Sequence, residues 1–166
     1  MRDDPGQAEI EGSPGGEAPW YAPGLRFECT QCGNCCTGAP GYVWFDDEEA
    51  AAMAAAVGVD KREFYQRYAK RKVGRWTLEE VRFKRGQYDC VFLERDASGR
   101  GRCSIYGVRP TQCRTWPFWA SNLASPRAWA EAAAGCPGMK RPDETGGAFV
   151  PVEAVRVELA KNPAGL

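Results

Sequence analysis

The stretch Cys29-Thr-Gln-Cys32-Gly-Asn-Cys35-Cys36 places four cysteines within eight residues. Four more follow at Cys90, Cys103, Cys113 and Cys136, and the chain contains no histidine. Cysteines packed this densely in a reducing compartment are typical of metal ligands. Because histidine is absent, the sequence excludes every mixed Cys/His zinc site and every Rieske-type iron–sulfur site. We therefore expect a metal site that is built from sulfur ligands.

The spacing of Cys29, Cys32 and Cys35 is C-x2-C-x2-C, which is also the spacing of the first three ligands of a bacterial ferredoxin cluster. Gly33 suits the tight knuckle of such a motif because glycine tolerates a positive φ. The ferredoxin pattern continues with x3-Cys-Pro, which is absent here, whereas Cys136 and its following proline lie far downstream. A remote fourth ligand is acceptable because a metal can close a long loop.

Two four-sulfur sites are the simplest hypothesis for eight thiols. Adjacent side chains of an extended segment point to opposite sides, so we expect Cys35 and Cys36 to serve different sites. One partition assigns the thiols to two sets: Cys29, Cys32, Cys35 and Cys136 in the first, and Cys36, Cys90, Cys103 and Cys113 in the second. The exchange of Cys136 with any of the three downstream thiols of the second set is an equally good alternative.

Arginines flank the downstream cysteines. Four thiolates on Zn²⁺ or on a [4Fe–4S]²⁺ cluster leave a net charge of about −2, and a partly buried charge needs nearby donors and cations. Arg102, Arg109 and Arg114 each lie within four residues of a cysteine, so they are candidates to surround the bound group. The alternative is that all three are surface arginines without contact to the bound group. The aromatic run Trp116–Trp119 is interpreted as core or as an apolar wall beside the site.

The charge of the chain is balanced but unevenly distributed. Its 166 residues contain 22 Lys and Arg and 22 Asp and Glu, so there is no global electrostatic signal for nucleic-acid binding. Residues 1–20 are acidic, and the stretch from Lys61 to Arg85 carries ten basic side chains against three glutamates. We interpret this basic stretch either as a solvated face or as the binding surface for a protein partner.

The expected compartment follows from signals that the sequence lacks. No stretch approaches the roughly 20 apolar residues of a membrane helix, and the start Met-Arg-Asp-Asp-Pro has no apolar run of a secretory signal. We therefore expect a cytoplasmic protein without membrane contact. Thiols stay reduced in that compartment, which disfavours disulfides, although the even number of cysteines leaves a disulfide framework open as an alternative.

Composition divides the chain into three segments. Residues 1–24 are rich in Gly, Pro and acidic residues, and we expect a disordered tail there. Residues 25–140 hold every cysteine and form the expected metal-binding domain, while residues 141–166 are a C-terminal extension with a short helix that packs on the same domain. The expected fold class is α+β: a small, irregular, metal-stabilised domain with short strands or a hairpin and several short helices.

Capping signals predict most of the helices. Asp46 and Glu49 have the spacing of a capping box before an alanine-rich helix that ends near Gly58, and Asp60 with Glu63 repeats the signal. Further helices are predicted at three places: Arg109–Trp116, the segment from Ser125-Pro126 to about Ala134, and Pro151–Lys161.

Runs of aromatic and β-branched residues predict the strands. There are three such runs: Gly41–Phe45, Arg75–Lys84 and Tyr88–Leu93. The turn Asp96–Gly101 then folds the chain into a hairpin in which Cys90 and Cys103 lie opposite each other. Their Cβ atoms would be about 5 Å apart, which suits two ligands of one metal.

Four motif blocks carry a resemblance to a known family. They are Cys29-x-x-Cys32-Gly-x-Cys35-Cys36, Cys90-x-Phe-Leu93, Cys103-x-Ile-Tyr106-x-x-Arg109-Pro110-x-x-Cys113-Arg114-x-x-Pro117-Phe118 and Gly135-Cys136-Pro137-Gly138. In this order they resemble the CxxCxxCC family, also called the YkgJ-type family, of zinc- or iron-chelating cysteine-cluster proteins. The resemblance covers about residues 25–140 and retains all eight cysteines. The Gly/Pro-rich start and the alanine-rich segment 124–134 depart from the family pattern.

The resemblance implies metal binding through the cysteines. The function that we expect is the binding of a [4Fe–4S] cluster or of Zn²⁺ through up to eight thiolates, with electron transfer or redox sensing as its use. A zinc-stabilised structural or interaction module without redox activity is the alternative. A related cysteine pattern occurs in flagellin lysine N-methylases, so an enzyme distantly related to them is the third hypothesis. No catalytic residue is carried over from that relationship, and enzymatic activity is left open.

Overall fold

The structure, a computed structural model, describes residues 18–162 and confirms the predicted α+β class. The described helices are α1 Asp47–Val57, α2 Lys61–Tyr68, α3 Thr111–Arg114, α4 Ala120–Leu123, α5 Pro126–Ala134 and α6 Val152–Lys161. The described strands are β1 Leu25–Arg26, β2 Thr37–Gly38, β3 Ala69–Lys72, β4 Arg75–Leu78, β5 Glu80–Lys84, β6 Gln87–Cys90, β7 Leu93–Arg95, β8 Gly101–Cys103 and β9 Phe149–Val150. They pair antiparallel in small sheets: β1 with β9, β6 between β2 and β5, β3 with β4, and β7 with β8.

Side-chain caps begin the helices where the sequence predicts them. The Asp46 carboxylate accepts a hydrogen bond from Glu49 N at 2.8 Å, and the Glu49 carboxylate accepts one from Asp46 N at 3.1 Å, which completes the capping box of α1. Asp60 and Ser125 cap α2 and α5 with one side-chain bond each. Gly58 ends α1 with a φ of 72°. Such caps contribute about 1 kcal/mol each, so these helix ends are specified locally.

The apolar side chains form two separate cores. The first packs α1 and α2 around Met53 and Phe64, with Phe92 stacked on Phe64 at 6.1 Å between ring centroids. The second packs α5 and α6 around Trp129 and Val155, which are both fully buried. Cysteines contact both cores: Cys90 and Cys103 pack against the first, and Cys136 packs against the second. The cysteine-bearing segments therefore connect the two cores.

The chain is already packed before residue 25, where the sequence predicts a disordered tail. Residues 20–23 form a turn, and the Trp20 indole nitrogen donates to Leu123 O at 2.7 Å. The Trp20 ring also lies 6.3 Å from the Trp129 ring and packs against the second core. Trp20 is thus packed on the second core, while residues 1–17 of the predicted disordered tail lie outside the described residues.

The segment 41–45 is extended but does not form the predicted strand. Its pairing is limited to one bridge, between Trp44 and Thr77. Its backbone donors bind side chains instead: Val43 N donates to Thr77 Oγ1 at 2.9 Å, and Trp44 N donates to Gln112 Oε1 at 2.8 Å. Buried side-chain acceptors take the place of a partner strand, which the local sequence does not reveal.

The hairpin around residues 96–101 is present, but its register differs from the predicted one. β7 pairs with β8 so that Leu93 lies opposite Cys103, three residues beyond the predicted partner Cys90. Cys90 instead ends β6 and lies opposite Glu80 of β5. The two cysteines therefore belong to different sheets.

The turn chemistry explains this register. The Asp96 carboxylate accepts hydrogen bonds from Ser98 N at 2.8 Å and from Arg100 N at 3.0 Å, so the turn is centred later than predicted. Between β6 and β7 the chain also bends to bury Phe92 in the first core. The second effect depends on distant residues and could not be read from the hairpin sequence alone.

Helix α6 holds the end of the described chain on the second core. Val155 is fully buried there, and the Asn162 amide donates to Phe118 O at 3.1 Å. The Thr115 hydroxyl also binds the Asn162 side chain. Among the described helices the longest is α1, with 11 residues, and none is long and apolar enough to cross a membrane.

Candidate metal centre

The segment 29–36 forms a knuckle that docks on the β7–β8 hairpin. Gly33 has a φ of 75°, in agreement with its predicted turn, and a 3-10 turn follows in which Cys36 N donates to Gly33 O at 2.9 Å. A Cβ atom on Gly33 would lie 2.8 Å from Leu93 Cδ1 and 3.0 Å from the carbonyl carbon of Gly101. Glycine is therefore needed both for the backbone conformation and for the close approach to the cysteine-bearing hairpin.

Backbone contacts bring the last cysteine to this knuckle. The Asn34 amide donates to Gly135 O at 3.1 Å, and Glu28 N donates to Gly138 O at 3.0 Å. A Cβ atom on Gly138 would lie 2.1 Å from Glu28 O, so this approach requires glycine. Cys136 consequently shares a wall with the knuckle, in agreement with the expectation of a remote ligand.

A small cavity of about 40 Å³ lies where these segments meet. Seven of the eight cysteines line it: Cys29, Cys32, Cys35, Cys36, Cys103, Cys113 and Cys136. About 10–15 Å³ is needed to hold one water molecule, so the cavity has room for an ion or a small group between the thiols. All eight cysteines are free thiols, and the disulfide alternative therefore finds no support in the structure. We refer to this space as the thiol cavity.

The neighbouring thiols of Cys35 and Cys36 lie close together, contrary to our expectation. That expectation assumed an extended backbone, whereas both residues belong to the 3-10 turn and their Sγ atoms are 3.9 Å apart. Two sulfurs bound to one tetrahedral zinc ion at about 2.3 Å are about 3.8 Å apart. The premise that assigned these two cysteines to different sites is wrong, and the proposed partition of the thiols loses its basis.

The thiols share a cavity without being arranged around a single point. Within residues 18–162 no group of three Cys, Asp or Glu side chains is placed closely enough to hold a metal ion without moving. A cysteine side chain reaches three staggered positions by rotation about one bond. Changes of χ1 between these positions are therefore the step that would turn the thiol cavity into a coordination site.

Five thiols, which we call the inner thiols, affect one another's ionisation: Cys35, Cys36, Cys90, Cys103 and Cys113. Burial raises the pKa of Cys113, and the thiols of Cys90, Cys35 and Cys103 raise it further. Burial also raises the pKa of Cys90, to about 11. The hydrogen bond between Cys36 and Cys35 lowers the pKa of Cys35 to about 7 and raises that of Cys36. Several thiolates crowded together repel one another, so they do not all ionise in the absence of a cation. A bound metal cation removes this repulsion and stabilises the deprotonated thiols as its ligands.

One of the three predicted arginines lines the thiol cavity. The Arg109 guanidinium lies 3.6 Å from the centroid of the Tyr106 ring, and its Nε donates to Tyr106 O at 3.0 Å, so the side chain is held in place. Burial raises the pKa of Cys103, and the positive charge of Arg109 opposes that rise. Arg109 is thus positioned to compensate negative charge on the thiols.

The other two predicted arginines are exposed and pair with glutamates. Arg102 has a side chain that is 75% exposed and pairs with Glu94 at 3.3 Å. Arg114 is 52% exposed, lies 3.8 Å from Glu49, and donates to the Thr111 hydroxyl at 2.9 Å. Neither lines the thiol cavity, and both serve as natural comparisons for Arg109.

Two aromatic residues contribute polar groups that the sequence analysis did not assign. The indole nitrogen of Trp116 is buried and is the side-chain donor that lacks a partner among the described residues, and its ring lines the thiol cavity. The neighbouring Cys29 thiol and burial raise the pKa of the Tyr106 hydroxyl. The place of Tyr106 in the third motif block was the one available signal, while Trp116 was interpreted as core or as an apolar wall, without a role for its indole N–H.

The orphaned indole N–H is a direct test of whether a sulfur-bound group fits here. A buried donor without an acceptor costs roughly 1–3 kcal/mol. A thiolate or sulfide in the thiol cavity supplies an acceptor next to Trp116. The wall of the cavity combines seven thiols with the Arg109 guanidinium, the Trp116 indole and the neutral polar side chains of Thr30, Gln31 and Tyr106, and it therefore fits a thiolate-bound metal or iron–sulfur cluster.

Comparisons with known proteins agree with this chemistry. The uncharacterized protein MJ0661 of Methanocaldococcus jannaschii is 31% identical over 99 residues, which cover 59% of this chain and 48% of that protein. The chain thus spans about half the length of this curated relative. No solved structure matches the chain significantly. Residues 28–137 match a domain family that is described as a "putative zinc- or iron-chelating domain", and the chain therefore belongs to the CxxCxxCC family.

Proposed function

We propose that the thiol cavity holds an iron–sulfur cluster of the [4Fe–4S] type, and that the protein uses it for electron transfer or redox sensing in a reducing compartment such as the cytoplasm. Membership of a zinc- or iron-chelating family supports metal binding. The observation that carries the proposal is the convergence of seven thiols on one cavity whose described wall contains no carboxylate. Iron–sulfur clusters are held by thiolates, and all the anionic donors of this wall are thiols.

The ligands are proposed in two groups. The inner thiols, Cys35, Cys36, Cys90, Cys103 and Cys113, influence one another's ionisation and supply the main ligand set. The outer thiols are Cys29, Cys32 and Cys136, which line the remaining wall of the thiol cavity. Because one [4Fe–4S] cluster takes four thiolates, we expect four of the five inner positions to lose the cofactor completely in single Cys→Ser variants, and the remaining inner position and the outer positions to lose it in part. Equal loss at all eight positions would contradict the grouping.

The surrounding residues have distinct tasks in this proposal. Arg109 compensates part of the net negative charge of the thiolate complex, and its stacking on Tyr106 keeps it in place. The indole N–H of Trp116 donates to a sulfur, and the Tyr106 hydroxyl orients Cys29. Hydrogen bonds and nearby charge set the reduction potential of such a cluster. When bound, the cluster supplies a one-electron redox change.

Anaerobic purification tests the identity of the metal. We expect a brown protein with a broad absorption near about 400 nm that contains iron and inorganic sulfide. A colourless protein with stoichiometric zinc after strictly anaerobic handling would overturn the iron–sulfur assignment and leave zinc chelation. The two outcomes are distinguished by elemental analysis of the same sample.

A zinc-stabilised interaction module is the second candidate, and a surface feature favours it. The basic stretch from Lys61 to Arg85 includes the β3–β4 hairpin, whose tip residue Val73 is 95% exposed. It also includes the edge strand β5, where Val81 and Phe83 are exposed. Exposed apolar groups among basic side chains suit an acidic protein partner.

Binding to an acidic peptide tests this second candidate. Fluorescence anisotropy with a labelled Glu-rich peptide that contains aromatic residues should show salt-dependent binding. Substitution of Val73 and Phe83 by Ser should weaken it without changing the metal content. Absence of binding at low salt would remove the interaction hypothesis.

A further inference from the structure

A second cavity adjoins the thiol cavity and is large enough for a small molecule. It encloses about 460 Å³, within the range of about 300–1,000 Å³ that is usual for ligand sites. Its wall contains four aromatic side chains: Tyr42, Trp44, Tyr88 and Trp119. We call it the aromatic pocket. Metal chelation alone gives no reason for a cavity of this size.

The aromatic pocket reaches the inner thiols. Cys35 and Cys36 line both cavities, and Cys90 lines the aromatic pocket. A ligand in this pocket would therefore lie directly against the sulfur atoms of these cysteines. The position is that of a substrate or regulatory ligand beside a metal centre.

The charge of the pocket wall is negative. The charged carboxylates that line it are Glu79 and Glu80, and no lysine or arginine is among its lining residues. Lys70 lies behind them, with its Nζ at 3.3 Å from a carboxylate oxygen of each, so one cation is shared between two anions. Glu79, Glu80 and Lys70 together carry a net charge close to −1, to which the thiolates of a metal complex would add, while the Arg75 guanidinium lies 4.6 Å from the Trp44 ring centroid at another part of the wall.

The aromatic rings complete a site for a cation. Tyr42 and Trp44 are stacked at 5.0 Å between centroids, and Trp44 already contacts the guanidinium of Arg75 at 4.6 Å. Tyr42 remains 50% exposed at the rim, so it is the ring of this pair that a ligand can reach. The rings of Trp and Tyr attract cations over their faces and also bury apolar groups. A negative end joined to aromatic walls selects against anions and accommodates an apolar body with a positive head group.

We propose that the aromatic pocket binds a small organic ammonium ion, with its charged group towards Glu79 and Glu80 and its apolar part against Tyr42 and Trp119. The contribution of the thiolates to this binding rests on the proposed function, whereas the contributions of the carboxylates and rings do not. The ligand would lie against Cys36 and Cys90 and so couple its binding to the state of the centre.

Three isosteric probes test the proposal on the protein as purified. n-Butylammonium, n-butanol and n-butyrate differ in charge but hardly in shape, and ligand-observed NMR titration measures weak binding whichever metal is bound. We expect n-butylammonium to bind about fivefold or more tightly than n-butanol, and n-butyrate to bind least, because only the ammonium ion gains from the carboxylates and the rings. Equal affinities for the three probes, or no binding of n-butylammonium, would overturn the inference.

Variants locate the binding. Glu79→Gln with Glu80→Gln preserves shape and the acceptor for Gly41 N, which donates to Glu80 at 2.8 Å, and should remove the preference for the ammonium probe. Glu94→Gln, in the exposed pair with Arg102, is the matched control and should leave it unchanged. If the double variant Glu79→Gln with Glu80→Gln keeps the preference for the ammonium probe, as the control does, the probe binds elsewhere and the proposal fails.

Metal content measured on the same samples separates this inference from the proposed function. A metal-loaded protein that does not discriminate between the probes contradicts the ammonium site alone. A protein without metal contradicts the proposed function, while a retained preference for n-butylammonium in that sample still supports the pocket.

Discussion

At the scale of single residues, the identity of the ligands was predictable and their geometry was not. Eight cysteines without histidine point to sulfur ligation from composition alone. The relation between Cys35 and Cys36 depends on a 3-10 turn that follows the positive φ of Gly33, and the sequence analysis assumed an extended chain there. The partnerless indole of Trp116 is a product of packing, so no local pattern could indicate it.

Arg109 gives a prediction about charge compensation. Arg109→Gln should accelerate metal loss to a competing chelator by about tenfold, as is usual when a residue that supports metal ligands is changed. Arg109→Lys keeps the charge but not the stacking on Tyr106 and should recover part of the retention. Arg102→Gln and Arg114→Gln are the controls, since both side chains are exposed and outside the thiol cavity. Equal effects at all three positions would contradict a specific role for Arg109.

Trp116 gives a prediction about the reduction potential. Trp116→Phe removes the indole N–H, so the potential of the bound cluster should become more negative because one donor to sulfur is lost. The metal-free protein should not lose stability through that donor, because it has no partner there. Trp119→Phe is the comparison, since its indole donates to Gln112 O at 3.0 Å regardless of the metal. An unchanged potential in Trp116→Phe, measured by redox titration, would refute the bond to sulfur.

At the scale of elements, α1, α2 and α5 were predictable because their side-chain caps are local, whereas α4, which has no side-chain cap, was not predicted. The capping box of α1 and the caps of α2 and α5 involve residues three positions apart. The hairpin was predicted but its register was not, because the turn at Asp96 and the burial of Phe92 together determine it. Because of this change in register, Cys90 and Cys103 lie in different sheets. Strand register in this protein depends on tertiary contacts that a short window of sequence does not contain.

The docking of the knuckle on the β7–β8 hairpin is testable with glycine variants. Gly33→Ala combines a φ of 75° with a Cβ contact of 2.8 Å to Leu93, so it should both strain the turn and displace the hairpin. Gly86→Ala has a φ of 72° with nothing within 4 Å, so it should cost only the roughly 1–2 kcal/mol of the left-handed backbone. We expect both variants to melt at lower temperature and only Gly33→Ala to lose metal. Full metal content in Gly33→Ala would show that this docking does not position the ligands.

At the scale of the whole molecule, the cysteines lie between two separate apolar cores. Cys90 and Cys103 pack against the core of α1 and α2, and Cys136 packs against the core of α5 and α6. A metal held by thiols from both sides would join the cores across the thiol cavity. Composition predicted one metal-stabilised domain, whereas the division into two cores follows from long-range packing.

Metal removal should therefore loosen the junction between the cores. Because ligand binding is coupled to folding in such sites, the metal-free protein should melt at a clearly lower temperature. Hydrogen exchange should increase most in residues 28–36 and 135–139, and least in α1 and α2, whose core has its own apolar contacts. An unchanged melting temperature after complete metal removal would contradict this role of the cofactor.

The most direct test of the account is the metal content of the anaerobically purified protein compared with that of Cys113→Ser. Cys113 lines the thiol cavity, and its pKa is raised by burial and by neighbouring thiols. We predict stoichiometric metal, with iron and sulfide as the proposed form, in the unchanged protein and little or none in Cys113→Ser. A folded protein that carries no metal, with all eight thiols open to alkylation, would contradict the central claim that this cavity is a metal centre.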